Sequence, residues 1–519
     1  MALCPINKID SNITGLSYAE EVCLKRLPTL ADDGADPIWY GLEPNSYSGF
    51  GGELSTITRA PIDPSRQNKK GVITDLDASG GFNVDFTRSN LTRLMQGFFF
   101  ADAREMPSTQ GLNTKLVEIL DVDATGGEYG ASTGLDAFGA GQLVYASGFA
   151  QSANNGLKTV VSASAGALEV SEPLTDETPP ANAKITAVGW DLGAGASITV
   201  VGGIVSLVAT SGNFLNKPQL VPGAWVFIGG DASASRFDNN QGFARIKSIA
   251  NTTLVFDDIT WINPVGEIGT GKSIQLFIGT VIKNEKDPAL IKSRSYQLER
   301  TLGEGENGPQ GQYLEGAKAN EFTLNISQAD KITADLSFTA CDNTYKTGDT
   351  GDELKLGAHI SAPGEDAYNT SSDLYRVKMS VVDSSTSTPA PLFKFVSEAS
   401  ITVNNNVTPN KAVGILGAFD TSAGNFEVGG SLTAYFATVA GSKAVRANAD
   451  VGFSVIGAAK NAGFLFDIPL LGLGGGEIDV NKDEAIMTSL EPAGAENPNG
   501  YTLLYETFSY LPNAAMPQG

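Results

Sequence analysis

DLDASGGFNVDFTRSNLTRLMQGFFF, residues 75–100, holds a strand signal followed directly by a helix signal. Phe82, Val84 and Phe86 alternate with Asn83 and Asp85 after the turn-forming Ser79-Gly80-Gly81. That alternation predicts a strand with one apolar face and one wet face. Leu91, Leu94, Met95, Phe98 and Phe99 then recur at spacings of three and four, which predicts a helix with one buried side. Thr87, Ser89 or Asn90 is placed to cap it.

The pattern has an echo downstream. AFDTSAGNFEVGGSLTAYF, residues 418–436, repeats the order of aspartate, small turn residues, Gly, Phe and an alternating strand ending in aromatics. A second pairing matches YLEGAKANEFTLNISQADKITADLSF, from Tyr313, with SLEPAGAENPNGYTLLYETFSYLP, from Ser489. Together they point to an internal duplication.

Between these halves the composition shifts to Gly, Ala, Ser and Val. Here GQLVYASGFAQSANNGLKTVVSASAGALEV, from Gly141, aligns with GAWVFIGGDASASRFDNNQGFARIKSIANTTLVF, from Gly223. Each is closed by a similar strand, KITAVG from Lys184 and SIQLFIG from Ser273. Strands joined by Asn-Gly turns are hairpins, so two such units predict a pair of small β-barrels or sandwiches.

The totals agree with an all-β chain carrying a few short helices. The 519 residues include 59 Gly and are 41% hydrophobic, with Thr, Val, Ile and Phe in short runs. The expected organisation is an N-terminal arm at 1–36 and a discontinuous first β domain at 37–112 and 288–341. An inserted region at 113–287 carries the two small repeats, 342–373 is a polar connector, and 374–519 is a second β domain. In the arm, Tyr18, Val22, Leu24 and Leu27 form an amphipathic piece able to pack on a neighbouring subunit.

A formal charge of −23 excludes a nucleic-acid clamp, which draws its affinity from clustered Lys and Arg. It is compatible with a conduit, because an acidic wall repels phosphates. Against this background Arg59, Arg66, Lys69 and Lys70 stand out as four cations within one Gly-, Pro- and Ser-rich stretch. They read either as a solvated loop or as a loop that meets an acidic neighbour.

Catalytic and metal chemistry finds no support. Cys4, Cys23 and Cys341 are widely spaced with no CxxC and read as free thiols. The single histidine, His359, has no triad or ligand partners beside it and reads as a surface residue. DVDATGGEYG from Asp121 has the start of a calcium loop, but Ser132 stands where a bidentate Glu is needed. GLGGGEID from Gly472 fails the dinucleotide pattern at Glu477. No cofactor, metal or catalytic residue is therefore expected. No basic and apolar leader and no apolar run of roughly 18–20 residues is present, so a cytoplasmic, non-membrane protein is expected.

The segments DLDASGGFNVDFT, NLTRLMQGFFFA, EGAKANEFTLNIS, KITADLSF, ASITVNNNVTPNKAVGILGAFDTSAGNFEVGGSLTAYF, GFLFDIPLLGL and YETFSYLP together resemble the major tail tube protein of long, flexible-tailed bacteriophages. The resemblance covers about half of the chain. It implies two tail-tube-like β-sandwich or barrel domains with flanking helices, in a structural virion protein that self-assembles into stacked rings. Those rings form a conduit for DNA ejection, and other tail proteins hold the tube ends. The long, duplicated form implies a trimeric ring imitating a hexamer, with six single-fold subunits as the other possibility. The inserted barrels become an outward decoration, and the Arg59, Arg66, Lys69 and Lys70 loop becomes an inter-ring contact. Synthesis is expected in the host cytoplasm. The competing class is a β-rich decoration protein or adhesin binding a receptor or carbohydrate, for which Trp190, Trp225 and Trp261 are the candidate platforms, although they also read as core.

Overall fold

The computed structural model describes residues 9, 11–30, 36–62, 64–113, 116–305, 308–349 and 351–517. It is all-β: strands dominate, and the α-helices described are Thr92–Phe99 and Ala440–Arg446. The chain forms two compact units. The first comprises 1–100, 292–367 and 398–431, and the second comprises 101–291, 368–397 and 432–519. Cys4 lies outside the described residues.

In the first unit the alternation of 82–86 becomes a strand, Val72–Asp85, in an antiparallel sheet with Thr333–Ala340, Gly308–Ser327 and residues 398–404. The register aligns Phe82, Leu336, Phe322 and Val403 in one row, and Val84, Ala334, Leu324 and Ile401 in the next. All eight are buried. The helix Thr92–Phe99 covers this apolar face, with the Phe98 ring 5.8 Å from Phe322 and 5.4 Å from Phe338. Burying each of these aromatic side chains contributes roughly 1.5–3 kcal/mol of transfer free energy. A Cβ on Gly97 would lie 2.5 Å from the Tyr296 hydroxyl, so a glycine is what permits the helix to sit this close.

The expected caps act elsewhere. Leu91 is the N-cap and makes no side-chain cap bond. Thr87 Oγ1 and the Ser89 amide donate to Glu365, while the Asn90 amide group donates to the Asp85 carbonyl at 2.7 Å. At the other end, where helix carbonyls lack partners, Asn405 Nδ2 donates to the Phe98 carbonyl at 3.0 Å and to Ala319 at 3.1 Å.

Part of the N-terminal arm belongs to the same unit: Gly15–Glu20 pairs with Ile38–Leu42 and with Tyr296–Gly305. Tyr18 is buried there, whereas Val22 is exposed. The polar stretch after 341 carries two strands, Asp342–Lys346 against 311–315 and Ala358–Ile360 parallel to 38–40.

The second unit contains a 13-stranded sheet in which the two small repeats are neighbours. Lys184–Asp191, which closes the first repeat, pairs with Gln275–Ile278, which closes the second. The Asp121 stretch is the hairpin Ile119–Asp123 with Glu128–Ala131. The core of the second unit includes Trp225, Phe227, Phe243 and Phe277, and it is continuous with Leu465, Leu504 and Phe508 from the C-terminal strands. Ala462–Asp479 pairs there with Val451–Ala459, Leu504–Phe508 and Met487–Gly494.

Candidate assembly and conduit surfaces

The face of the first sheet opposite the helix is set by the same registers. Asn83, Asp335, Thr323 and Thr402 lie in one row; Gly81, Ser337, Glu321 and Asn404 in a second; Asp85, Thr333, Asn325 and Ser400 in a third. These rows hold amides, hydroxyls and three carboxylates, and no Lys or Arg. Their side chains are tied to one another: Asn83 Nδ2 and Asn325 Nδ2 each donate to Asp335 at 2.7 Å, and the Thr323 and Thr402 hydroxyls are 3.2 Å apart. Lys331, in the adjoining turn, is held by Asp85 at 2.7 Å. A phosphate backbone meeting this face finds acceptors and negative charge, with no cation in the rows to hold it.

Two hairpins project other chemistry from the same unit. Pro44–Ile57 and Val72–Asp85 pair from Pro44↔Val84 out to Ile57↔Val72, and the loop 58–71 joins them. Arg59, Arg66, Lys69 and Lys70 all lie exposed on this loop, where the Lys69 amide donates to the Arg59 carbonyl at 3.2 Å. Ile57, Ile62, Val72 and Ile73 are each more than half exposed around them. Exposed apolar side chains grouped beside cations are a common feature of interaction surfaces.

The second hairpin, Thr408–Lys411 with Ala418–Ser422, is clasped to the first. Lys411 Nζ is 2.5 Å from both Asp75 Oδ2 and Asp77 Oδ1. This hydrogen bond holds the Asp75 carboxyl below its usual range. The clasp presents Val413, Ile415, Leu416 and Phe419, all about half exposed or more.

In the second unit, Ala462–Asp479 and Met487–Gly494 form a further long hairpin whose tip, 477–486, is exposed. The glycine run that fails the dinucleotide pattern is a bulge in this hairpin. Gly475 and Gly476 have φ of 70° and 83°, and the register shifts between Gly475 and Glu477.

Groups with catalytic potential are engaged in packing. His359 stacks on the buried Trp39 ring at 5.8 Å and 8°, with Nε2 3.3 Å from both Glu299 carboxylate oxygens. Burial raises the Glu299 carboxyl above its ordinary value. The histidine side chain is half exposed, as a surface residue, yet it is tied to a buried acid that sequence proximity does not reveal. In the second unit a cavity of about 90 Å³ is lined by Arg245, Lys378, Asp257, Asp258 and Asp467. Arg245 pairs with Asp257 and Asp467, and Arg376 and Lys378 both pair with Asp258. Cys23 and Cys341 are free, with burial pushing the Cys341 thiol up to about 11. Among the described residues no group of three or more His, Cys, Asp or Glu is arranged to hold a metal ion, and no helix is long and apolar enough to cross a membrane. Trp190, Trp225 and Trp261 are at most 9% exposed, so they are core residues and offer no exposed aromatic platform.

A family model described as phage tail tube protein matches residues 11–494, a span that runs through both compact units. No curated protein matches the chain.

Proposed function

The chain belongs to the phage tail tube protein family, a structural component of a phage tail, and from that premise we propose that it self-assembles into stacked rings that conduct DNA during ejection. In this reading the rings are trimeric, with the duplicated halves imitating six subunits, and the alternative is a ring of six single-fold subunits. The first unit's polar face lines the lumen. The loop bearing Arg59, Arg66, Lys69 and Lys70 makes the contact between layers. Synthesis occurs in the host cytoplasm, and other tail proteins occupy the tube ends.

One observation carries this reading: the registers collect Asn83, Asp335, Thr323 and Thr402 on a face whose rows hold no cation, in the same unit whose hairpins expose apolar and basic side chains. A conduit needs a wall that DNA does not adhere to, and a polymer needs surfaces that other copies cover. Both are present.

Negative-stain electron microscopy of the purified chain tests the proposal. Hollow stacked rings are expected, with threefold or sixfold outer features in end views deciding the symmetry. Persistent monomers at high concentration would refute it.

A further inference from the structure

We propose that the basic loop 58–71 of one copy docks on the acidic hairpin tip 477–486 of a second copy. This names the partner of the layer contact and rests on the stacked-ring reading. The loop carries four cations against Asp63, a net charge of +3. The tip carries Glu477, Asp479, Asp483 and Glu484 against Lys482, a net charge of −3.

The described side chains of both surfaces are exposed, and the two are built alike. The loop carries exposed Ile62 between exposed Ile57 and Val72, and the tip carries exposed Ile478, Val480 and Ile486. Lys482 and Asp483 are 92% and 85% exposed and 4.0 Å apart, so the tip's charge stands in water. In a chain of net charge −23, copies repel one another on average. A surface of +3 is therefore where another copy's carboxylates are attracted. The Debye length is about 8 Å at physiological ionic strength, so the attraction acts only when the surfaces are nearly in contact. The apolar flanks supply the non-specific part of the binding, and the opposite charges supply register and partner choice.

Charge reversal in two separate chains tests this. A loop variant carries Arg66→Glu, Lys69→Glu and Lys70→Glu, and a tip variant carries Glu477→Lys, Asp479→Lys and Glu484→Lys. Each variant alone then opposes like charges at the contact, and a mixture of the two restores attraction between unlike copies. The critical concentration for sedimentable tubes is expected to rise roughly tenfold or more for each variant alone and to return close to the parent value in the equimolar mixture. A tip variant that assembles like the parent, or a mixture no better than its components, overturns the pairing and leaves the tube reading intact. Failure of the parent chain to form tubes refutes the tube reading instead. Melting curves of the dispersed chains verify folding. Should a reversal fail to fold, the neutral sets R66Q/K69Q/K70Q and E477Q/D479N/E484Q decide, and parental assembly by the second set overturns the pairing.

Discussion

Arg245 Nη1 lies 3.2 Å and 3.3 Å from the two carboxylate oxygens of Asp467, a side chain with no solvent exposure. The pair joins strand Gly242–Ala250 to strand Ala462–Asp479, which are far apart in sequence. Burial pushes the Asp467 carboxyl up to about 6 even with the guanidinium beside it. Removing one partner leaves a buried charge without full compensation. Asp467→Ala is therefore expected to destabilise the unassembled chain by about 3–5 kcal/mol in chemical denaturation. Arg245→Met with Asp467→Leu is expected to cost less than Asp467→Ala alone, and an equal or larger loss would contradict this account.

Glu506 predicts a dependence on pH. It is fully buried and accepts hydrogen bonds from the Trp225 and Gly279 amides, both at 2.9 Å, and burial pushes its carboxyl up to about 8. The folded chain therefore keeps this proton at pH values where the unfolded chain, with an ordinary value of about 4.3, has released it. Its contribution is fully present below about pH 4 and is lost as pH rises towards 8. Glu506→Gln removes the titration and loses one amide acceptor. The variant is expected to be the less stable at pH 5, with the gap narrowing by pH 8, and a constant gap across that range would exclude the mechanism.

Asn405 predicts a local effect. Its amide reaches two buried carbonyls, Phe98 at the helix end and Ala319 in the sheet. Asn405→Ala leaves both without that donor and is expected to cost about 1–3 kcal/mol. Hydrogen exchange should accelerate first in Thr92–Phe99, and unchanged helix protection would show that the bonds carry little.

The polar face predicts how DNA behaves. Thr323→Lys with Thr402→Lys places cations where the sheet has none. Tubes of this variant are expected to retain DNA in low-salt co-sedimentation and to release it as salt rises, with a slope of roughly 0.9 per phosphate contacted. Parent tubes should retain none. Equal retention by both would separate this face from the lumen.

Much of this fold was legible wherever one element carries its own period. Phe82, Val84 and Phe86 against Asn83 and Asp85 announced a strand, and Leu91 to Phe99 announced the helix that covers it. Caps were less legible, because Thr87 and Ser89 are drawn to Glu365, a residue distant in sequence. The strands Asp342–Lys346 and Ala358–Ile360 left no periodic trace, since backbone partners near Tyr313 and Trp39 define them. The polar face was illegible for the same reason: its rows exist only once strands from three regions of the chain are in register. The exposed basic loop was visible as composition. The acidic tip was not legible, because its carboxylates are unremarkable in so acidic a chain and stand out only once the hairpin sets them at an exposed turn.

Cryo-electron microscopy of tubes assembled from the purified chain, resolved to strand register, tests the central claim most directly. The account predicts stacked rings whose lumen is lined by Asn83, Asp335, Thr323 and Thr402, with the 58–71 loop at the boundary between layers. A tube wall formed by other strands, or a chain that stays dispersed at high concentration, would contradict it.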